Sequence, residues 1–401
     1  MTTSALAPTS HAARTAPHED DEFALLCALA GAELSPERIE RIANWDQSAL
    51  DWNEVLHLAE FHGVLPLAAR NLLLYAPGLP AEIERSLRSA YQENLRRSLW
   101  FSAELARIIR HFERRQLQAI PYKGPVLAQS AYRDLGLRSF SDLDFLVSAA
   151  DFVRAKLALA EIGYVPGAVF TPAVERMWLR AGYERAFDSA CGKNLVELQW
   201  AVVPYFYAVD VRAGDWLARA GRTAVGEYLV PCLSPEDSLL ALCLHAAKHL
   251  WMRLIWLSDI AETLRTQSID YALVSSQARA LGIVRMVGVS FWLARNAFQA
   301  ELPKAAEELI AADTGVPALG AEMAERLARK TVYDFESTEY FRMILKLRER
   351  RSDRVRYLWR LVWTPSAGDV AEVRLSETLF PLYRIVRIGR LLRRFLLKAE
   401  R

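Results

Sequence analysis

The stretch Arg138-Ser139-Phe140-Ser141-Asp142-Leu143-Asp144-Phe145-Leu146-Val147 decides how this chain is read, because it sets two carboxylates two residues apart in a run that otherwise has the composition of a buried β-strand. Side chains at i and i+2 of a strand share a face, so Asp142 and Asp144 project together while Leu143 and Phe145 point the other way. Adjacent carboxylates repel unless something neutralises them. A hard divalent cation, Mg²⁺ or Mn²⁺, takes oxygen ligands of this kind. The pair therefore points to metal-assisted phosphoryl or nucleotidyl transfer if further residues complete the site, since an Asp-x-Asp alone also occurs at turns and solvated strand ends.

On the N-terminal side the pattern changes after Gln116. Leu117 to Tyr122 is a short extended run closed by Lys123-Gly124, and Pro125 opens a short helix reaching Tyr132. On the C-terminal side a helix is expected from Ala149 to Ile162. Two short runs then follow, Glu184 to Ser189 and Asn194 to Trp200, flanking Ala190-Cys191-Gly192-Lys193 as a hairpin turn. Strand, helix, strand, helix and hairpin make a compact α/β unit of about 100 residues. The second hairpin run carries Glu197 between Val196 and Leu198, so its carboxylate faces away from theirs, and Gln199 shares its face. If this strand lies beside the Asp-x-Asp strand, Asp142, Asp144 and Glu197 form a triad able to hold two metal ions about 4 Å apart. One ion lowers the pKa of an attacking hydroxyl and the other binds the triphosphate and stabilises leaving pyrophosphate.

Tyr122-Lys123-Gly124-Pro125-Val126-Leu127, Tyr132 and Leu137 to Val147 resemble the signature of the poorly characterised bacterial nucleotidyltransferase family within the DNA polymerase β superfamily. In that family a Lys-Gly turn after the first strand replaces the superfamily's usual Gly-Ser phosphate turn. The resemblance extends to Ala59-Glu60-Phe61-His62-Gly63-Val64-Leu65-Pro66-Leu67 upstream and to His245-Ala246-Ala247-Lys248-His249 through Trp256 and Asp259 downstream. It covers about residues 50 to 265, with a fainter echo at Thr364-Pro365 and Pro381-Leu382-Tyr383. It implies a small mixed-sheet, polymerase-β-like core and Mg²⁺-NTP chemistry. Members often carry His two residues after the third carboxylate. This chain has Gln199, which can hydrogen-bond a phosphate, ribose or water but cannot shuttle a proton near neutral pH.

Lys123 and Gly124 end a strand and lead into a helix start, where backbone N–H groups and an ammonium donate to phosphate oxygens; the alternative is a plain surface lysine. Arg138 either holds the triphosphate or forms a structural bridge to Asp134 or a triad acid. Ser141 contacts phosphate or serves as a structural hydroxyl. On the helix announced by Ser234-Pro235-Glu236-Asp237, positions 245, 249, 252, 256 and 259 share one face. His249, Trp256 or Asp259 there touch base or ribose, or the face is interdomain packing. His245 and His249 resemble a zinc pair, but no Cys or acid completes it.

The 401 residues are 52% hydrophobic and 24% charged, as in a globular protein. No run reaches about 18 uninterrupted apolar residues, so no transmembrane segment is expected. Residues 1–22 lack a basic start and an apolar core, so they read as a flexible lead rather than a secretory signal. The scattered Cys27, Cys191, Cys232 and Cys243 fit a reducing cytoplasm. Net charge is +2, yet basic residues accumulate from Arg342 onward. In the last helix they fall on one side of the wheel, with Ile385, Ile388, Leu392 and Phe395 on another, a face for RNA, an acidic partner or a membrane surface, or simply a solvated face.

The expected organisation is α+β: a helical region at 23–115, a nucleotidyltransferase core at 116–215 and a helical region at 234–401 ending in a basic helix. The expected activity is transfer of NMP from an NTP, ATP by default, to an unknown acceptor hydroxyl on a small molecule, protein or RNA, with pyrophosphate released. The alternatives are a kinase-like phosphotransferase and a non-catalytic binding module that presents the basic C-terminal helices to an acidic partner or nucleic acid.

Overall fold

A computed structural model describes residues 19–397 except 191 and 193. Most of the expected lead, Cys191 and Lys193 of the hairpin turn, and the last four residues with Lys398 and Arg401 thus lie outside the described residues. Helix α1 (Glu19–Leu29) includes Glu22, whose buried carboxylate accepts the Asp51 backbone N–H at 3.1 Å.

Helices α2 (Pro36–Ala43), α3 (Trp52–Phe61), α4 (Leu65–Tyr75) and α5 (Ala81–Arg114) complete the N-terminal part. Their starts follow from the caps in the sequence. Ser35 Oγ accepts the Arg38 N–H at 3.4 Å with Pro36 at the first helical position, and Asp51 Oδ1 accepts the Asn53 N–H at 2.9 Å. The 34-residue α5 buries Phe101, Leu105, Ile108 and Phe112 along one stripe.

The centre comprises β1 (Ala119–Pro121), α6 (Gly124–Ser130), β2 (Asp142–Val147), α7 (Phe152–Glu161), β3 (Tyr164–Pro166), α8 (Pro172–Ala181), β4 (Glu184–Ser189) and β5 (Leu195–Gln199). The sheet order is β1-β2-β5-β4-β3, with β2 and β5 parallel and the other pairs antiparallel. Strand β3 and helix α8 were not anticipated. One face of the sheet, with Leu143, Phe145, Phe187, Val196 and Leu198, packs on α5 and α7 around Phe112 and Phe152. This leaves the acidic alternate positions on the opposite face. Helix α9 (Ala213–Ala218) and a hairpin of β6 (Gly221–Val225) and β7 (Tyr228–Cys232) follow, the hairpin in a span without a strand expectation.

The C-terminal part is helical: α10 (Pro235–Lys248), α11 (Leu254–Thr266), α12 (Tyr271–Leu281), α13 (Val284–Phe298), α14 (Lys304–Ala311), α15 (Val316–Ala328), α16 (Thr338–Leu347), α17 (Arg351–Trp363), α18 (Ala367–Glu372) and α19 (Tyr383–Leu397). Ser234 caps α10, its Oγ accepting the Asp237 N–H at 3.2 Å. The single helix expected across positions 245 to 259 is two. The chain turns between α10 and α11 through Leu250 and Trp251, both at positive φ (49° and 50°), a region non-glycine residues rarely enter. Burial of Trp251, whose Nε1 donates to Ser290 Oγ at 3.0 Å, holds that turn.

The terminal helix also departs from expectation. Arg387 and Arg390 point inward while Ile385 and Leu392 face solvent. Asp369 and Glu372 of α18 pair with Arg390 at 2.6 and 2.8 Å and thereby turn Arg387 and Arg390 inside, while Arg384 and Arg393 stay exposed.

Candidate active site

The parallel β2–β5 register sets Asp144 directly opposite Glu197 and Asp142 opposite Leu195. Asp142, Asp144 and Glu197 all open into one cleft of about 470 Å³, which the sheet forms with the α10–α11 turn. The three acids expected to share a face line the same cleft. A fourth joins them: Glu184 of β4 lines the same cleft, its backbone paired with Gln199. Counting back residue by residue from the 190–193 turn puts Glu184 opposite Gln199, so the hairpin contained this acid once its register was fixed.

Lys123 is the central counter-charge. Its Nζ lies 3.0 Å from Asp144 Oδ1 and 3.5 Å from His245 Nδ1, and the side chain is buried. Burial pulls the ammonium pKa down, but Asp144, Asp142 and Glu197 outweigh this and the net shift is upward. Gly124 next to it holds φ +53°, which explains the glycine. The helix it opens, α6, has only 7 residues, so its dipole adds little to the ammonium's field.

Gln199 lies behind the acids rather than in the cleft, and this corrects the expectation that it meets a nucleotide. It is 2% exposed, and its Nε2 faces Asp144 Oδ1 at 2.8 Å, Glu197 Oε2 at 3.1 Å and Glu184 Oε2 at 3.3 Å. Its Oε1 accepts the Tyr122 hydroxyl. The amide has two hydrogens for three carboxylates, so it ties the acids together without neutralising them. Burial, then Asp144 and Glu184, push Glu197 up to about 8. Burial and Asp144 raise Asp142 to about 6.

Arg138 lines the cleft and is held there by a partner that had not been anticipated. Its guanidinium binds Asp259 through Nε–Oδ1 and Nη2–Oδ2, both at 2.8 Å, and Tyr132 donates to the same Oδ1 at 2.7 Å. Asp259 is 1% exposed, so it is unavailable to base or ribose. Ser141 is exposed at the cleft mouth. Neighbouring Ser139 donates from Oγ to the Gly63 carbonyl at 2.7 Å, and the His62 carbonyl accepts the Ile255 N–H at 3.1 Å. The upstream Phe61-His62-Gly63 motif thus ties the loop before β2 to the start of α11. His249 and Trp256 line the cleft, stacked at 4.8 Å and 29°, with His245 4.7 Å from His249. Burial keeps both histidines well below their ordinary pKa.

Sequence reasoning missed further cleft residues. Tyr183 donates to Glu184, and Lys248 Nζ donates to the Tyr183 hydroxyl at 3.1 Å. Lys248's pKa is lowered by burial despite the nearby Glu184. Arg97 and Arg253 also line the cleft, exposed, over the Phe101 and Phe61 rings, and form no ion pair among the described residues. Arg97 lies on an otherwise ordinary amphipathic helix, which gave no signal of its place at the cleft.

Clustered carboxylate oxygens are hard donors and suit a divalent cation chemically. In the present conformation Lys123 and Gln199 hold Asp144, and no group of three His, Cys, Asp or Glu side chains among the described residues converges as a metal site. A cation would therefore have to replace the lysine's charge on Asp144.

A family model described as an uncharacterised nucleotidyltransferase matches residues 48–299. The chain belongs to this nucleotidyltransferase family, and a nucleotidyltransferase implies a nucleoside triphosphate substrate. No curated protein and no solved structure matches the chain.

Proposed function

We propose that the protein transfers NMP from a Mg²⁺-bound NTP, ATP by default, to an acceptor hydroxyl, with pyrophosphate as leaving group, on a polymerase-β-like sheet. The observation that carries this reading is the parallel register that sets Asp144 against Glu197 beside Asp142, in a cleft whose mouth bears Arg97 and Arg253, which form no ion pair among the described residues. Asp142, Asp144 and Glu197 would hold the cation, which would supply charge neutralisation on the phosphates and acidify the attacking hydroxyl. Lys123, released from Asp144, neutralises a phosphate oxygen. Arg97 and Arg253 bind the outer phosphates from the mouth. The His249–Trp256 stack offers a surface for the base. Glu197, raised to about 8, is the group with a proton to give up when a cation arrives.

One test is parallel incubation with α-labelled and γ-labelled NTPs, Mg²⁺ and cell extract, followed by mass analysis of whatever becomes labelled. The expected result is an NMP adduct that Asp144→Asn and Glu197→Gln abolish. Addition of phosphate alone would establish the kinase-like chemistry instead. Full activity in both variants would remove the mechanism.

The closed Lys123–Asp144–Gln199 arrangement favours one second reading, a binding module whose acids are held by protein groups. Calorimetry with each NTP separates the two readings, because the module predicts no Mg²⁺-dependent binding.

A further inference from the structure

Helix α17 sits on the body through Asp353, Tyr357 and Leu361, spaced four apart. Its outward stripe is apolar instead of polar: Val355, Leu358, Trp359, Val362 and Trp363, with Trp359 62% and Val355 68% exposed. Helix α19 repeats the inversion. Tyr383, Arg387 and Leu391 turn inward, while Leu382 just before the helix, Ile385 and Leu392 face outward, Ile385 at 65%. The two helices pack together, and the Arg384 guanidinium lies 5.5 Å from the Trp363 ring, joining the stripes into one surface. A globular helix normally shows solvent its charged side, and an extended apolar patch of this kind marks an interface.

The charge around the patch identifies the occupant. Residues 341–401 contain sixteen Lys or Arg against six Asp or Glu, in a chain whose net charge is only +2. Although Arg348, Arg387 and Arg390 turn inward and Arg360 pairs with Asp210 at 2.5 Å, Arg384 stays exposed beside the patch. A groove of about 560 Å³ between α8, α17 and α19 is lined by Arg176, Arg180, Arg360 and Arg384, with Glu377 the one acid among the described lining residues. Arg180 and Arg384 form no ion pair among the described residues. A symmetric contact with a second copy would set this cationic surface against itself. RNA would satisfy the arginines but leave Val355, Leu358, Ile385 and Leu392 in water. A bilayer with anionic headgroups satisfies both, with aliphatic side chains and tryptophans at the acyl boundary and arginines at the phosphates.

We propose that the α17–α19 surface docks the protein on an anionic lipid bilayer, lying in the interface without crossing it. Among the described residues no helix is long and apolar enough to cross a membrane. Docking is independent of the chemistry assigned to the acidic cleft.

The test is co-sedimentation of the full-length protein with vesicles of phosphatidylcholine alone and of phosphatidylcholine with phosphatidylglycerol, followed by tryptophan fluorescence. Anionic vesicles are expected to bind the protein and shift its emission to the blue, with affinity falling as salt rises. Arg384→Gln should weaken binding about fivefold. Leu358→Asp combined with Ile385→Asp should abolish it while leaving thermal unfolding unchanged, since both positions are exposed. Several results overturn the proposal: no binding to either vesicle, unchanged binding by the double variant, RNA binding in place of vesicle binding, or a dimer dispersed by Leu358→Asp in protein that ignores vesicles.

Discussion

Lys123 and Asp144 form a buried ion pair, Nζ to Oδ1 3.0 Å, at the centre of four carboxylates. Removing one partner of such a pair leaves the other charge uncompensated, which costs about 3–5 kcal/mol. Lys123→Met should therefore lower stability by about that amount in urea unfolding at neutral pH. The deficit should shrink in acid as Asp142, raised to about 6, takes up a proton. An equal deficit at all pH values would mean that packing, not charge, is what the lysine provides.

Glu197 gives the protein a pH dependence opposite in sign to that of an ordinary salt-bridged carboxylate. Its folded pKa of about 8 lies above the usual 4.5, so the native state binds more protons than the unfolded chain between these values. Stability falls as pH rises through that window. Asp142, raised from 3.8 to about 6, adds the same sign at lower pH. His62 opposes them, because burial lowers it from 6.5 to about 4 and stability there rises with pH. The difference between wild type and Glu197→Gln isolates the first contribution. In denaturant titrations across the range, the variant should gain on the wild type steadily up to about pH 8.

The Arg138–Asp259–Tyr132 cluster is predicted to act on stability and on the shape of the cleft wall, not on nucleotide contact. Arg138→Met and Asp259→Asn should each destabilise by about 3 kcal/mol. The double variant should cost less than the sum, with a coupling of about 1–3 kcal/mol in a double-mutant cycle. A rise in KM for NTP with an unchanged melting temperature would return Arg138 to the phosphate.

How far the site could be read from sequence follows from which contacts are local. Alternation along residues 142–147 and 195–199 is a property of the strand itself, so the acidic face and the three acids that share it were visible beforehand. The parallel pairing of β2 with β5 joins segments about fifty residues apart across β3 and α8. Nothing local fixes the partners of Lys123, Gln199 or Arg138, since each long polar side chain had several acids within chain reach. The helix from 234 was legible to Lys248. Its break at Leu250 and Trp251 was not, because two non-glycine residues hold positive φ only under tertiary packing. On α19 the apolar face was legible as a face, but its direction depends on Asp369 and Glu372 receiving Arg390.

Cation binding should compete with protons for the same carboxylates. If Asp142, Asp144 and Glu197 hold Mg²⁺, its affinity rises as pH increases from about 6 to about 8, the pKa values of Asp142 and Glu197. Thermal shift with Mg²⁺ should grow over that range and vanish on chelation. A shift independent of pH, or one retained by Glu197→Gln, would place the cation elsewhere.

Arg97 and Arg253 separate phosphate recognition from folding more cleanly than the buried groups do. Both are exposed at the cleft mouth and make no ion pair among the described residues, so replacing them breaks no ion pair and gives up only the contact with the Phe101 or Phe61 ring. A charge-assisted hydrogen bond contributes about 1.5–3 kcal/mol, so Arg97→Gln or Arg253→Gln should raise KM for NTP roughly 10- to 100-fold. The melting temperature should barely move, because surface substitutions of this kind usually stay within about 0.5 kcal/mol. If both variants keep the wild-type KM while Lys248→Met raises it, the triphosphate lies deeper, against Tyr183 and Glu184.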